Sequence, residues 1–115
     1  MQPDDFRRLA LALPEAVEQA HMGHPDFRVR GKIFATLGHP DDAHGMVVLP
    51  LDGQEAFVRA RPLAFRPVPG GWGERGATHV VLAEADEAAV HDALAMAWRK
   101  AAPKSLLELH PFDGA

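Results

Sequence analysis

The residues that could do chemistry in this sequence are histidines and acids, because the usual nucleophiles are scarce. The chain has seven histidines and no cysteine, tyrosine or asparagine, and its one serine is Ser105. Glu108 follows Ser105 by three residues, which predicts a capping box for a short helical turn and not a nucleophile. A Ser–His–Asp arrangement or a cysteine nucleophile is therefore not supported. We expect no catalytic residue and a protein that is not an enzyme.

The histidines and aspartates also lack the pattern of a metal or phosphate site. Metal ligands must converge and need outer partners, and no HExxH helix occurs. Gly70, Gly71, Gly73 and Gly76 lack the GxGxxG spacing and the lysine and hydroxyl of a P-loop. We therefore expect no metal and no cofactor. The following residues are interpreted as surface or turn positions: His21, His24, His39, His44, Asp41 and Asp42.

The cations are the most suggestive group, although the net charge is −4. Residues 27–37 hold three cations and no acid, and residues 56–83 hold four arginines and one glutamate, so each segment has a net charge of +3. Phe27 and Val29 alternate with Arg28 and Arg30, which predicts a strand with its cations outward. A cationic hairpin can contact phosphates. The predicted nucleic-acid-binding residues are Arg28, Arg30, Lys32, Arg59, Arg61, Arg66 and Arg75; the alternative is an ordinary charged surface.

A tryptophan among glycines, Trp72 in Gly70-Gly71-Trp72-Gly73, allows a second functional hypothesis. We expect Trp72 to fold back on the core, and an exposed stacking platform is the alternative. In this second hypothesis the chain is a non-enzymatic small-molecule or protein-interaction domain, with a cleft beside this loop and Trp72 as one wall. Lys32, Arg75 and His79 would supply polar contacts. This hypothesis predicts an apolar pocket next to Trp72.

The elements that must position these residues can be predicted from periodicity and turn residues. The order is a helix, three or four antiparallel strands, a helix, a strand and a helix, which predicts one α+β domain over 1–115 with helices on one face of an antiparallel sheet. No secretory signal or membrane span is visible, so we expect a cytoplasmic protein without a membrane partner. The segments are a helix ending at Pro14, a strand over Val17–Met22, a hairpin over 27–37, a strand over Gly45–Leu49, a helix over 53–61 begun by Asp52 and Glu55, an irregular connection over 62–77, a strand over Thr78–Ala83 and a helix capped by Asp86.

Residues 24–37 resemble the central motif of the MmcQ/YjbR-like family. That motif is a proline, a Phe-x-Val strand, Gly-Lys and then Phe-Ala, which here are Pro25, Phe27-Arg28-Val29, Gly31-Lys32 and Phe34-Ala35. Three other segments are similar to the family: Leu13–Val17, Gly71–Gly73 followed by Thr78–Leu82, and Ala97–Lys104. The resemblance spans about residues 4–107.

The resemblance implies a small α+β fold of the CyaY-like type, similar to double-wing transcription factor domains, and it implies DNA as the partner. Carried over by position, Arg28, Arg30, Gly31 and Lys32 lie on the family's hairpin motif and Trp72 on its late tryptophan segment. Many relatives continue that segment as His–Trp–Val, whereas here it is glycine-rich. Iron binding is not implied, because the first helix has only Asp4 and Asp5 beside Arg7 and Arg8.

Overall fold

The computed structural model describes residues 1–111, which form a six-stranded sheet, five α-helices and one 3-10 helix over Leu82–Glu84. The class is α+β, as predicted. The helices are α1 (Pro3–Leu11), α2 (Leu51–Ala60), α3 (Gly71–Glu74), α4 (Glu87–Ala101) and α5 (Lys104–Leu109). The strands are β1 (Val17–His21), β2 (His24–Val29), β3 (Lys32–Leu37), β4 (His44–Val48), β5 (Phe65–Pro67) and β6 (Ala77–Val81).

The sheet is antiparallel throughout, in the order β1-β2-β3-β4-β6-β5. The predicted hairpin is confirmed as β2 and β3, and a register shift between Phe27 and Arg28 places Phe34 as an extra residue opposite it. Such a bulge lets neighbouring side chains of one strand share a face. Phe34 and Ala35 are both fully buried, in agreement with this geometry.

The core lies between one face of the sheet and the helices α1 and α4, which pack on β3 and β4. Phe27 and Val29 point into it and are fully buried, as the alternation predicted. Helix α4 is capped by Asp86, whose Oδ1 accepts a hydrogen bond of 2.7 Å from the Ala89 backbone N–H. The apolar stripe of α4 covers the sheet, and its Trp98 donates Nε1–H to the Pro14 carbonyl at 2.9 Å.

The opposite face of the sheet stays partly solvated, which is common for antiparallel sheets. Along β4 the side chains alternate between buried and half-buried, and the half-buried set, with His44 and Met46, points away from the helices. We call this surface the open face. The registers assign to it Val17, Gln19, His21, His24, Asp26, Arg28, Ile33, Thr36, His44, Met46, Val48, Arg66, Ala77, His79 and Val81.

Several local predictions were wrong. Helix α2 begins after Pro50 with no capping box, because Asp52 accepts from the adjacent Gly53 N–H and does not cap. Ser105 lies inside α5, which begins after Pro103, so Ser105 is not its cap. Residues 62–77 are not irregular throughout, since they contain β5 and α3, both held by contacts to β6.

Candidate nucleic-acid interface

The open face has a charge composition unlike that of the whole chain. One cross-strand row runs over all six strands: Gln19, Asp26, Thr36, Met46, His79 and Arg66. The ionisable groups of the face are two arginines, four histidines and one aspartate, namely Arg28, Arg66, His21, His24, His44, His79 and Asp26. Among the strand residues of this face the one carboxylate within residues 1–111 is Asp26, which is fully buried; a second carboxylate, Asp41 of the β3–β4 loop, lies at the edge of the face, 2.8 Å from Nδ1 of His44. The open face is therefore neutral to positive in a chain of net charge −4.

Arg28 is held on this face by a bidentate ion pair. Its Nε and a terminal guanidinium nitrogen donate to the two carboxylate oxygens of Asp26 at 2.9 and 3.0 Å. The hydrogen bond to Asp26 raises the pKa of Arg28. Arg28 and Asp26 are two residues apart in one strand, so their side chains share a face. The basic segment 27–37 begins one residue after Asp26, so its charge of +3 does not include this partner of Arg28.

The tip of the β2–β3 hairpin is also less cationic than the sequence indicated. Arg30 has a positive φ of 50° and donates through Nε and its guanidinium to both oxygens of Glu15. The hydrogen bond from Arg30 lowers the pKa of Glu15. Lys32 is exposed and has no carboxylate partner among residues 1–111. Of the three hairpin cations, Lys32 alone is therefore uncompensated within the part of the chain that the structure describes.

The second basic segment lies at the other side of the sheet. Arg59 pairs with Glu55 on α2, and Arg61 lies 3.3 Å from Asp86 at the start of α4, so both belong to the helix layer. Arg66 is on the open face in β5, opposite His79. Four strand spacings separate β2 from β5, about 19 Å at ~4.8 Å per strand. The seven predicted cations thus do not form one patch, although Arg28 and Arg66 share the open face.

His79 and His44 form a ring pair at the centre of the open face, with centroids 5.5 Å apart. Burial lowers the pKa of His79, and the nearby His44, His39 and Arg66 lower it further. His44 is fixed by Asp41, whose Oδ1 lies 2.8 Å from Nδ1 of the imidazole, and this contact lowers the pKa of Asp41. At neutral pH His79 is therefore uncharged, and an anion bound on this face would favour its protonation.

Trp72 is exposed, so the prediction that it folds back on the core was wrong. It has 70% of its surface in solvent, and the Arg75 guanidinium carbon lies 5.4 Å from its ring centroid. The residues of the alternative pocket are not gathered, since Lys32 lies on the β2–β3 hairpin and Arg75 on the α3 loop. A shallow groove occurs instead beside α1 and α4, lined by Leu9, Glu87, Ala88, His91 and Asp92.

Two further properties concern metals and membranes. Among residues 1–111, no group of three or more histidines and acids has a geometry that could hold a metal ion. None of the helices in that range is long and apolar enough to cross a membrane.

The fold and this surface define an α+β domain whose antiparallel sheet keeps one face open and places cations on it. A family model described as YjbR matches residues 11–100, which is most of the chain. The chain belongs to the YjbR family. No curated protein and no solved structure matches it.

Proposed function

We propose that this chain is a non-enzymatic, cytoplasmic nucleic-acid-binding protein that places its open face against phosphates. DNA is the partner implied by the family motif at residues 24–37. The observation that carries the proposal is the composition of the open face: within residues 1–111 its strands carry two arginines, four histidines and one carboxylate, Asp26, which is buried, while Asp41 at the edge of the face is engaged by His44. Backbone phosphates supply most of the affinity in such complexes, so a face with its acid buried is the suitable surface.

The cations should not contribute equally to this binding. Arg66 has no carboxylate partner among residues 1–111, so a phosphate can approach it without displacing an internal anion. Lys32 also has no carboxylate partner among residues 1–111, but it lies opposite Val29 at the hairpin tip and therefore not on the open face. Arg28 and Arg30 are each engaged by two carboxylate oxygens, and a phosphate would compete with those charge-assisted bonds. Arg66 is therefore the first residue to test.

A salt titration with matched variants tests the proposal. Fluorescence anisotropy would follow a random-sequence DNA duplex at salt concentrations from about 50 to 200 mM, the range where phosphate contacts weaken affinity strongly. Arg66→Ala and Arg59→Ala remove the same charge, but Arg66 is on the open face and Arg59 is on α2, paired with Glu55. If Arg66 meets one phosphate, its removal should reduce the log–log salt slope by about 0.9.

The expected result is a lower slope and weaker binding for Arg66→Ala, and a smaller effect for Arg59→Ala. Lys32→Ala should have a smaller effect than Arg66→Ala, because Lys32 lies opposite Val29 and not on the open face. Equal losses in the Arg66 and Arg59 variants would mean that only the net charge matters, and the open face would not be the interface. An absence of duplex binding by the wild type at about 50 mM salt would contradict phosphate contact itself.

A further inference from the structure

Trp72 is exposed on a segment that is tightly fixed. A Cβ added to Gly73 would lie 1.8 Å from the Val68 carbonyl oxygen, and one added to Gly76 would lie 1.9 Å from that of Leu49. Both glycines therefore allow a backbone approach that no other residue permits. Gly76 also has a φ of 107°, which L side chains rarely adopt. The turn that carries Trp72 is thus packed against the body of the protein at both ends.

Gln54 on α2 holds the same turn by hydrogen bonds. Its buried side-chain amide donates to the carbonyl oxygens of Gly73 and Ala77 at 3.0 and 3.1 Å, and lies 3.1 Å from the Thr78 hydroxyl. Burying an aromatic side chain is favourable by area alone. This well-fixed turn nevertheless holds the Trp72 ring in solvent. Trp72 is therefore exposed because the fixed backbone of this turn holds it there, and not because the loop is loosely packed.

The surroundings of the ring select the kind of ligand. Arg75 lies within cation–π distance of Trp72 and has no carboxylate partner among residues 1–111. A cationic ligand would be repelled by Arg75. An aromatic cage or a proline-binding groove needs several exposed rings, whereas four of the described phenylalanines are fully buried: Phe6, Phe27, Phe34 and Phe65. One flat ring with an adjacent unpaired cation matches a flat base linked to a phosphate.

We propose that Trp72 stacks on an unpaired nucleobase while Arg75 contacts the adjacent phosphate, so that the chain prefers single-stranded or locally unpaired nucleic acid. This inference rests on the proposed nucleic-acid binding and deepens it. Bases stack on aromatic side chains irrespective of sequence, because every base has a π-face. In an intact duplex the bases are already stacked on one another, so Trp72 has no base to receive.

The test uses a 12-nucleotide oligo(dT) and a duplex of the same length, with anisotropy and tryptophan emission as the two measurements. The chain has two tryptophans, and Trp98 is 1% exposed, so a change of emission on binding reports Trp72. Trp72→Ala should weaken oligo(dT) binding by roughly 5- to 150-fold, the value of one stacked base. Duplex affinity should change by less than about 2-fold, because no base is stacked on the ring in that complex.

Trp72→Phe is the matched control, because it keeps a ring for stacking and removes the fluorophore. It should retain most of the oligo(dT) affinity and lose the emission change. If Trp72→Ala has the same small effect on the affinity for oligo(dT) as on the affinity for the duplex, the stacking inference is overturned while nucleic-acid binding stands. If the wild type binds neither nucleic acid at low salt, the stacking inference and the proposed function are both overturned. Far-UV circular dichroism checks that each variant is folded.

Discussion

Replacing Gln54 by methionine should lower the free energy of unfolding by about 1–3 kcal/mol. Methionine keeps the length of the side chain and fills the same space, but it has no N–H to donate. The Gln54 amide contacts three oxygens, on Gly73, Ala77 and Thr78, that belong to the α3 turn and to β6. The substitution therefore removes the polar link between α2 and the turn that carries Trp72, and little else.

The magnitude follows from the partners that each oxygen keeps. The Gly73 carbonyl still accepts from the Gly76 N–H at 3.0 Å, and the Ala77 carbonyl still accepts from the Val68 N–H at 2.9 Å. Neither carbonyl is orphaned, so the cost is that of the two amide hydrogens, at about 0.5–1.5 kcal/mol each. Gln54→Glu should cost more, above about 3 kcal/mol, because it turns a carboxylate toward the same oxygens without a cation to compensate it.

Urea unfolding at neutral pH measures both variants. A loss of about 2 kcal/mol should move the midpoint by on the order of 1 M, given typical slopes for a small domain. Glu55→Gln is the control on the next residue of α2. Its ion pair with Arg59 is largely exposed, so its loss should cost less than about 1 kcal/mol. A midpoint unchanged in Gln54→Met, or a Gln54→Glu variant as stable as Gln54→Met, would refute this account of the turn.

Three other outcomes are expected. Gly73→Ala should destabilise the fold by about 2 kcal/mol or more in urea, because its Cβ would meet the Val68 carbonyl oxygen; wild-type stability would contradict the close packing. Asp26→Asn should lower stability, because Arg28 loses its charged partner, yet it should tighten duplex binding in anisotropy, because the open face becomes more positive; weaker binding would contradict the open-face interface. Stability should fall between about pH 7 and pH 5, because the pKa of His79 is lowered below its unfolded value and the unfolded state binds the proton first. His79→Gln should flatten urea midpoints over that range, and an unchanged pH dependence would refute the assignment to His79.

The elements with strong local periodicity were predictable from the sequence. The alternation of Phe27, Arg28 and Val29 identified a half-buried strand, and the Asp86 cap identified the start of α4, because both signals depend on residues within a few positions of each other. The same alternation assigned Arg28 to the side away from the core. The family motif at residues 24–37 agreed with the match to the YjbR model over residues 11–100.

The ion-pair partners of the cations and the exposure of Trp72 were not predictable in the same way. Which cations are compensated depends on contacts such as Arg30 with Glu15, fifteen residues away. The turn that carries Trp72 is held by Gln54, whose acceptors are 19 to 24 residues further along the chain. Periodicity carries no information about such pairs, so a glycine-rich turn with one tryptophan is compatible with a buried plug and with an exposed platform. Asp26 is the exception, since its spacing of two from Arg28 was a local signal.

The net charge of −4 does not by itself prevent anion binding at the open face, because the acids of α1, α2 and α4 lie in the helix layer and Asp41, at the edge of the face, is paired with His44. The acids of α4, such as Glu87 and Asp92, lie on helices that cover the other side of the sheet, and a helix is itself about 10 Å wide. At physiological ionic strength the screening length is about 8 Å, so these acids are largely hidden from a phosphate on the open face. At about 10 mM salt the screening length grows to roughly 30 Å, and the same acids would repel the ligand. Lowering the salt should therefore strengthen binding less than the number of bound phosphates alone would predict. The reason is that the stronger attraction at each phosphate is opposed by a stronger repulsion from the acidic helix layer.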